Sequence, residues 1–291
     1  MGEGSFSQLV TTDTPMLIII AIDQSGSMLE AFTNYSMILP KIEVASMIAS
    51  ALFDELLMRS FHIDKNRRYF DIVVLGYSKM GARPLLVDTM HPIPILFFED
   101  HKPKVVYRTI ETVDSNNHLQ LCPEAYHEWI KPEAAGPNAM IEMFDDVIKI
   151  VETWCENRQN WDSLPPIVFN FTDGTDDLAY TKHHLYRANK LKQLGTKHGK
   201  TLLVNVCIDS CPRSERLYFP SPDAVPPSHN AAFLASLSSP LPAIFNDMHQ
   251  EFNNGKILSK PPYLALCYNA SVLHMIPRLK IACRLPDDYK G

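Results

Sequence analysis

One carboxylate and two hydroxyls recur at every second position in the stretch 16–28, MLIIIAIDQSGSM: Asp23, Ser25 and Ser27, with Gly26 between the serines. Oxygens of this kind suit a hard divalent cation, Mg²⁺ before Mn²⁺ or Ca²⁺. The structural alternative is a polar turn whose side chains bond their own backbone. Other groupings offer less. His118, Cys122 and His127 match no zinc spacing and lack a fourth ligand. Cys207 and Cys211 are separated by three residues, one too many for a C-x-x-C redox pair. His183 and His184 are adjacent on an expected helix, where they cannot share a face, and solvation is the expectation for both. Neither a Gly-x-Ser-x-Gly elbow nor a glycine-rich phosphate loop is present, so nucleophilic hydrolysis and nucleotide chemistry are not expected.

The elements that must hold Asp23, Ser25 and Ser27 follow from the apolar pattern. Six apolar residues, 16–21, run straight into the polar loop and predict a strand buried on both faces. The carboxyl end of such a strand is where a doubly wound sheet places its ligand. After a polar excursion over 29–35, Ile42, Ala45, Ala49, Leu52 and Leu56 recur at helical spacing, with Pro40 suited to the first turn. Residues 70–78 predict a second strand and 83–88 a shorter antiparallel companion. The stretch 91–133 is too long for an ordinary connection and reads as an insertion with structure of its own, suited to specific recognition.

Met140, Phe144, Val147, Val151 and Trp154 mark another helix. A third buried strand, 167–171, leads into Thr172-Asp173-Gly174, and a helix over 180–194 ends at Gly195. Residues 201–208 predict a further strand, 211–227 a proline-rich loop, and 231–237 and 242–253 two closing helices. The expected organisation is one domain over 1–255, interrupted at 91–133, with a 256–291 extension. The apolar pattern at 264–276 docks that extension on the body or on a partner.

Three segments together carry a resemblance: Asp23-x-Ser25-x-Ser27 after one apolar strand, AGPNAM at 135–140 before a helix, and Thr172-Asp173-Gly174 after another strand. The pattern resembles the metal-ion-dependent adhesion site of the von Willebrand factor A (VWA) family. The resemblance implies an α/β fold, a doubly wound, mostly parallel six-stranded sheet flanked by helices, with a divalent ion at its top edge. It implies that Ser25 and Ser27 bind the ion directly while Asp23 and Asp173 act largely through water. Asn138 stands where the family commonly has a threonine ligand; its carbonyl oxygen can bind the ion, or its side chain can cap the helix that begins there. With neutral direct ligands the cation keeps much of its charge and wants an anionic oxygen, which a glutamate or aspartate on a protein partner supplies. Intracellular bacterial proteins resembling this one often work beside kinases, phosphatases or AAA+ ATPases in stress or defence systems.

Composition narrows the setting. The 291 residues, 46% apolar and 21% charged, can bury a substantial core. A formal charge of −6 argues against a surface built for nucleic acid. The run at 16–21 is too short to span a membrane, and the residues before it lack the features of a signal peptide. Six cysteines are too sparse for a disulfide scaffold, so reduced thiols and a cytoplasmic location are expected. The reading is a metal-dependent protein-binding module and not an enzyme. The alternatives are a metal-assisted hydrolase with Asp176 or Asp177 as base, and a metal-free scaffold.

Overall fold

The computed structural model describes residues 11, 14–34, 37–63, 68–113, 119–175, 180–209, 217–243 and 261–269. Met16–Asp23 (β1) is buried along its whole length, as a run containing Ile18, Ile19, Ile20 and Ile22 requires of a strand covered on both faces. Part of the expected polar excursion is a hairpin, Ala31–Asn34 (β2) with Met37–Pro40 (β3), which delivers the chain to Lys41–Ile63 (α1). Phe70–Ser78 (β4) returns parallel to β1, and Gly81–Pro84 (β5) and Ile93–Pro94 (β6) pair antiparallel with β4.

Val105–Val113 (β7) and Leu119–His127 (β8) form a separate hairpin, followed by Met140–Glu156 (α2) and Ile167–Thr172 (β9). Thr181–Leu191 (α3) gives way to a small hairpin, Gly195–Thr196 (β10) with Gly199–Lys200 (β11). A Cβ on Gly195 would lie 2.1 Å from the Gly199 carbonyl oxygen, so only glycine admits that turn. Leu202–Cys207 (β12), Leu217–Tyr218 (β13), His229–Leu237 (α4) and Leu266–Tyr268 (β14) complete the described elements.

The main sheet has the order β13-β14-β12-β9-β1-β4-β5, with β6 beside β4. Strands β14, β12, β9, β1 and β4 are parallel, and the three short edge strands are antiparallel. The expected mostly parallel sheet flanked by helices is therefore present, with eight described strands where six were expected. β5 is the short antiparallel companion expected over 83–88, displaced to 81–84, whereas β6, β13 and β14, of two or three residues, are too short to show a period of two and escape a reading by pattern. Beyond residue 255, the expected apolar pattern begins by docking on the body: Ala265, Leu266 and Cys267 are fully buried, and β14 pairs with β12 inside the sheet. The closing helix expected over 242–253 lies outside the described residues from 244 onward.

Alternate residues of β1 feed two cores. Met16, Ile18, Ile20 and Ile22 pack with Ile42, Ala45, Leu52 and Leu56 of α1. Leu17, Ile19 and Ala21 pack with Met140, Phe144, Val147 and Val151 of α2. The helices thus lie on opposite faces and fix β1 between them, at the point where the sheet order reverses.

The expected insertion is bolted to α1. Asp54 accepts hydrogen bonds from the His127 backbone N–H (3.0 Å) and the Trp129 indole N–H (2.6 Å), and its carboxylate pairs with His127 Nδ1 at 3.0 Å. Phe53 stacks obliquely on Trp129 and meets Phe98 edge-on. His118 and the Cys122 side chain lie outside the described residues. No described helix is long and apolar enough to cross a membrane.

Candidate functional site

Parallel pairing of β1 with β9 sets Ile22 beside Phe171, so the loops that follow emerge side by side from the carboxyl end of the sheet. Thr172 Oγ1 donates to Asp23 Oδ2 at 2.7 Å, and the Ser25 N–H donates to Asp23 Oδ1 at 2.9 Å. The Ser25 and Ser27 hydroxyl oxygens lie 3.1 Å apart. A third loop is tied to the first by backbone bonds from Gly26 N–H to the Gly136 carbonyl and from Ala135 N–H to the Gln24 carbonyl, both 2.7 Å. Gly136 has φ +80°, and a Cβ there would come within 2.9 Å of Lys79 Cβ, so glycine is what lets this loop close on the first.

Asn138, on that third loop, is hydrogen-bonded at both ends of its amide. Its Oδ1 accepts from the N–H of Met140, the first residue of α2, at 2.7 Å, one position outside the N-cap Ala139. Its Nδ2 donates to Asp23 Oδ2 at 2.8 Å. The helix start takes one of the two lone pairs of that carbonyl oxygen.

The two carboxylates sit in different surroundings. Asp23 is fully buried, and desolvation pushes its pKa from an ordinary 3.8 up to about 6. Donation by Ser25 and Thr172 opposes that rise, and repulsion from Asp173 adds to it. Asp173, also fully buried, accepts from the Thr175 N–H at 2.9 Å and pairs with Lys41 Nζ at 2.9 Å. The same ammonium pairs with Glu30 Oε2 at 2.7 Å. Burial pushes the Lys41 pKa down, and its bonds to Glu30 and Asp173 outweigh that and raise it.

Lys41 is the site residue that sequence reasoning missed. A signal was available: it opens α1, and a cation in a first helical turn opposes the helix dipole unless something nearby compensates.

Above these groups lies a concavity of about 640 Å³ lined by Ser25, Ser27, Asn138, Met140, Glu142 and Tyr180. Among the described residues no cluster of three or more His, Cys, Asp or Glu side chains is arranged to hold a metal ion, so a cation here depends on hydroxyls and water. A second concavity, about 440 Å³, lies beside Arg68, Lys149 and Trp154. There Arg68 is paired with Asp71 and Lys149 with Asp146.

His183 is exposed as expected, but His184 is not: it is 1% exposed, with Nδ1 2.9 Å from the Tyr180 carbonyl and its ring edge-on to Phe233. Packing of α3 on α4 buries that face. Cys207 is buried behind Asp173 and its thiol pKa is pushed well above the usual value by desolvation. Asp176, Asp177 and Cys211 lie outside the described residues.

No family model matches the sequence, and no curated protein matches it. Among solved structures, proximal thread matrix protein 1 from the mussel byssus is 12% identical, with a TM-score of 0.44 over 93% of this chain and 49% of its own. This chain therefore spans about half the length of that one. The SpRpn10 VWA domain is 11% identical, with a TM-score of 0.38 over 78% of this chain and 84% of its own. Likenesses of this size identify no family.

Proposed function

We propose that this chain is a protein-binding module that takes a divalent cation, Mg²⁺ first, against the Ser25 and Ser27 hydroxyls and through it grips a glutamate or aspartate of a partner. One observation carries the reading: residues 149 positions apart, Asp23 and Thr172, are hydrogen-bonded beneath two converging hydroxyls at the mouth of a concavity. The donor set fits a hydrated ion. The Ser25 and Ser27 hydroxyls line the concavity 3.1 Å apart, each bonded to the other and open to exchange that bond for an ion, and Asp23 and Asp173 would act on the ion through water, which Mg²⁺ retains readily. Asn138 positions Asp23 through its amide N–H₂, and its carbonyl oxygen keeps one lone pair for the ion. The cation would supply the positive charge that a partner carboxylate seeks.

A second reading is a metal-free module, and the Lys41–Asp173 ion pair favours it, since part of the carboxylate charge is already balanced. Buried free thiols at Cys155 and Cys207 agree with a reducing, cytoplasmic setting, and a role in a bacterial stress or defence system belongs to the same proposal.

Calorimetric titration with MgCl₂, MnCl₂ and CaCl₂ separates the readings. The first expects binding heat in the wild type and its loss in Ser25→Ala, together with a bound partner that chelator releases. No heat from any of the three ions in the wild type overturns it.

A further inference from the structure

Lys41 is a buried ammonium placed where two effects oppose it. It is 3% exposed, so its charge is largely removed from water, and it opens a helix whose amino-terminal dipole end is itself positive. A methionine or leucine would fill the space without either cost. What holds the ammonium there is the pair of carboxylates at 2.9 and 2.7 Å, Asp173 and Glu30.

The β2–β3 hairpin is what delivers it. The ladder closes with Ala31 opposite Pro40, and the Lys41 N–H then bonds the Glu30 carbonyl at 3.0 Å. Glu30 and Lys41 therefore face each other across the base of the hairpin, beside the loop that carries Asp173. The two partners differ in one respect that matters. Asp173 is fully buried, while the Glu30 side chain is 64% exposed. Glu30 thus already holds the ammonium from the solvent side and keeps it paired when another cation compensates Asp173.

We infer that Lys41 is the site's own counter-cation: it competes with a divalent ion for Asp173, sets the affinity of the pole for that ion, and balances the buried charge when no ion is bound. The inference rests on the proposed reading that this pole takes a divalent cation. Its content is which residue governs that uptake.

The test uses the full chain with MgCl₂ or MnCl₂ as the only ligand. Titrations of wild type, Lys41→Gln, Lys41→Met and Lys41→Arg are compared, with thermal unfolding of each in chelator and in saturating Mg²⁺. An opposite charge at this distance predicts that Lys41→Gln and Lys41→Met bind the ion at least about tenfold more tightly, while Lys41→Arg stays near wild type. Both neutral variants should melt below wild type in chelator and recover more of their Tm on adding Mg²⁺ than wild type gains. Equal affinities in all four proteins overturn the inference and leave the proposed function standing. Absence of binding by every protein overturns both. If the neutral variants are unfolded in chelator, refolding on adding Mg²⁺ supports the inference; failure to refold shows Lys41 to be a structural pin only and overturns it.

Discussion

Asp23→Asn isolates the electrostatic cost of the pole. The folded-state pKa of Asp23 lies near 6, above its ordinary 3.8. Between those values the native state holds a proton that the unfolded chain has released. Stability from this group is therefore complete below about pH 4 and is lost as pH rises through about 6. At about 1.4 kcal/mol per pH unit, the rise corresponds to about 3 kcal/mol of destabilisation at neutral pH.

Asparagine carries no charge and escapes that loss. Its Oδ1 can still accept from the Ser25 N–H, but its amide N–H₂ meets two donors, Thr172 Oγ1 and Asn138 Nδ2. The threonine hydroxyl can rotate to accept; Asn138 cannot, and a lost bond of this kind costs about 1 to 3 kcal/mol at any pH. The variant should thus be the less stable protein at pH 4 and gain on wild type by about 3 kcal/mol by pH 7.5. Urea unfolding of both proteins in chelator, at half-unit steps across that range, reads the difference, with contributions from titrating groups that do not interact with Asp23 cancelling. A difference that moves by less than about 1 kcal/mol, or that moves toward the wild type with rising pH, refutes the reasoning. A carboxylate retained where an amide is the better neutral-pH occupant is what a site kept for binding leads one to expect.

Two further outcomes test the scaffold around the pole. Asp54→Ala strips the acceptor from His127 and Trp129 and should cost about 2 to 4 kcal/mol; amide exchange should accelerate at residues 127–130 while β1 and β9 stay protected. Asn205→Ala breaks the buried chain that runs from the Tyr77 hydroxyl through Asn170 and Asn205 to Ser238, and should lower the urea midpoint by the equivalent of about 2 to 4 kcal/mol without changing the slope.

What the sequence made legible was whatever depended on periodicity over one element. β1 was readable because burial on both faces demands an unbroken apolar run, and α1 and α2 because Ile42, Ala45, Leu52, Leu56, Phe144, Val147 and Val151 repeat at helical spacing and are buried. The hairpin β2–β3 was not readable, since its stretch AFTNYSMILP has no Asn-Gly or Asp-Gly turn and its strands are four residues each. β14 was missed for the same reason: three residues cannot show a period, and its place in the sheet depends on pairing with a strand some sixty positions earlier. At the pole, residue types were legible and their pairings were not. Asn138 could be named as ligand or cap, but which end of its amide faces Asp23 is decided by where α2 begins. Lys41 meets Asp173 across 132 residues, a separation no local pattern reports.

Those pairings make two carboxylates that look equivalent in sequence unequal in the fold. Asp23 is held only by neutral donors, a backbone amide, a hydroxyl and a side-chain amide, so nothing nearby offsets its charge and burial drives its pKa upward. Asp173 has an ammonium at 2.9 Å. A cation entering beside Ser25 and Ser27 would therefore gain most from Asp23, whose charge is uncompensated, and would have to share Asp173 with Lys41. With Asp23 and Asp173 turned inward onto protein donors, the hydroxyls and not these carboxylates line the concavity, and among the described residues lining it Glu142 is the only acid. On the proposed reading, an acid is attracted to this end of the sheet only when a cation sits between the partner and Asp23, and chelator should then abolish binding.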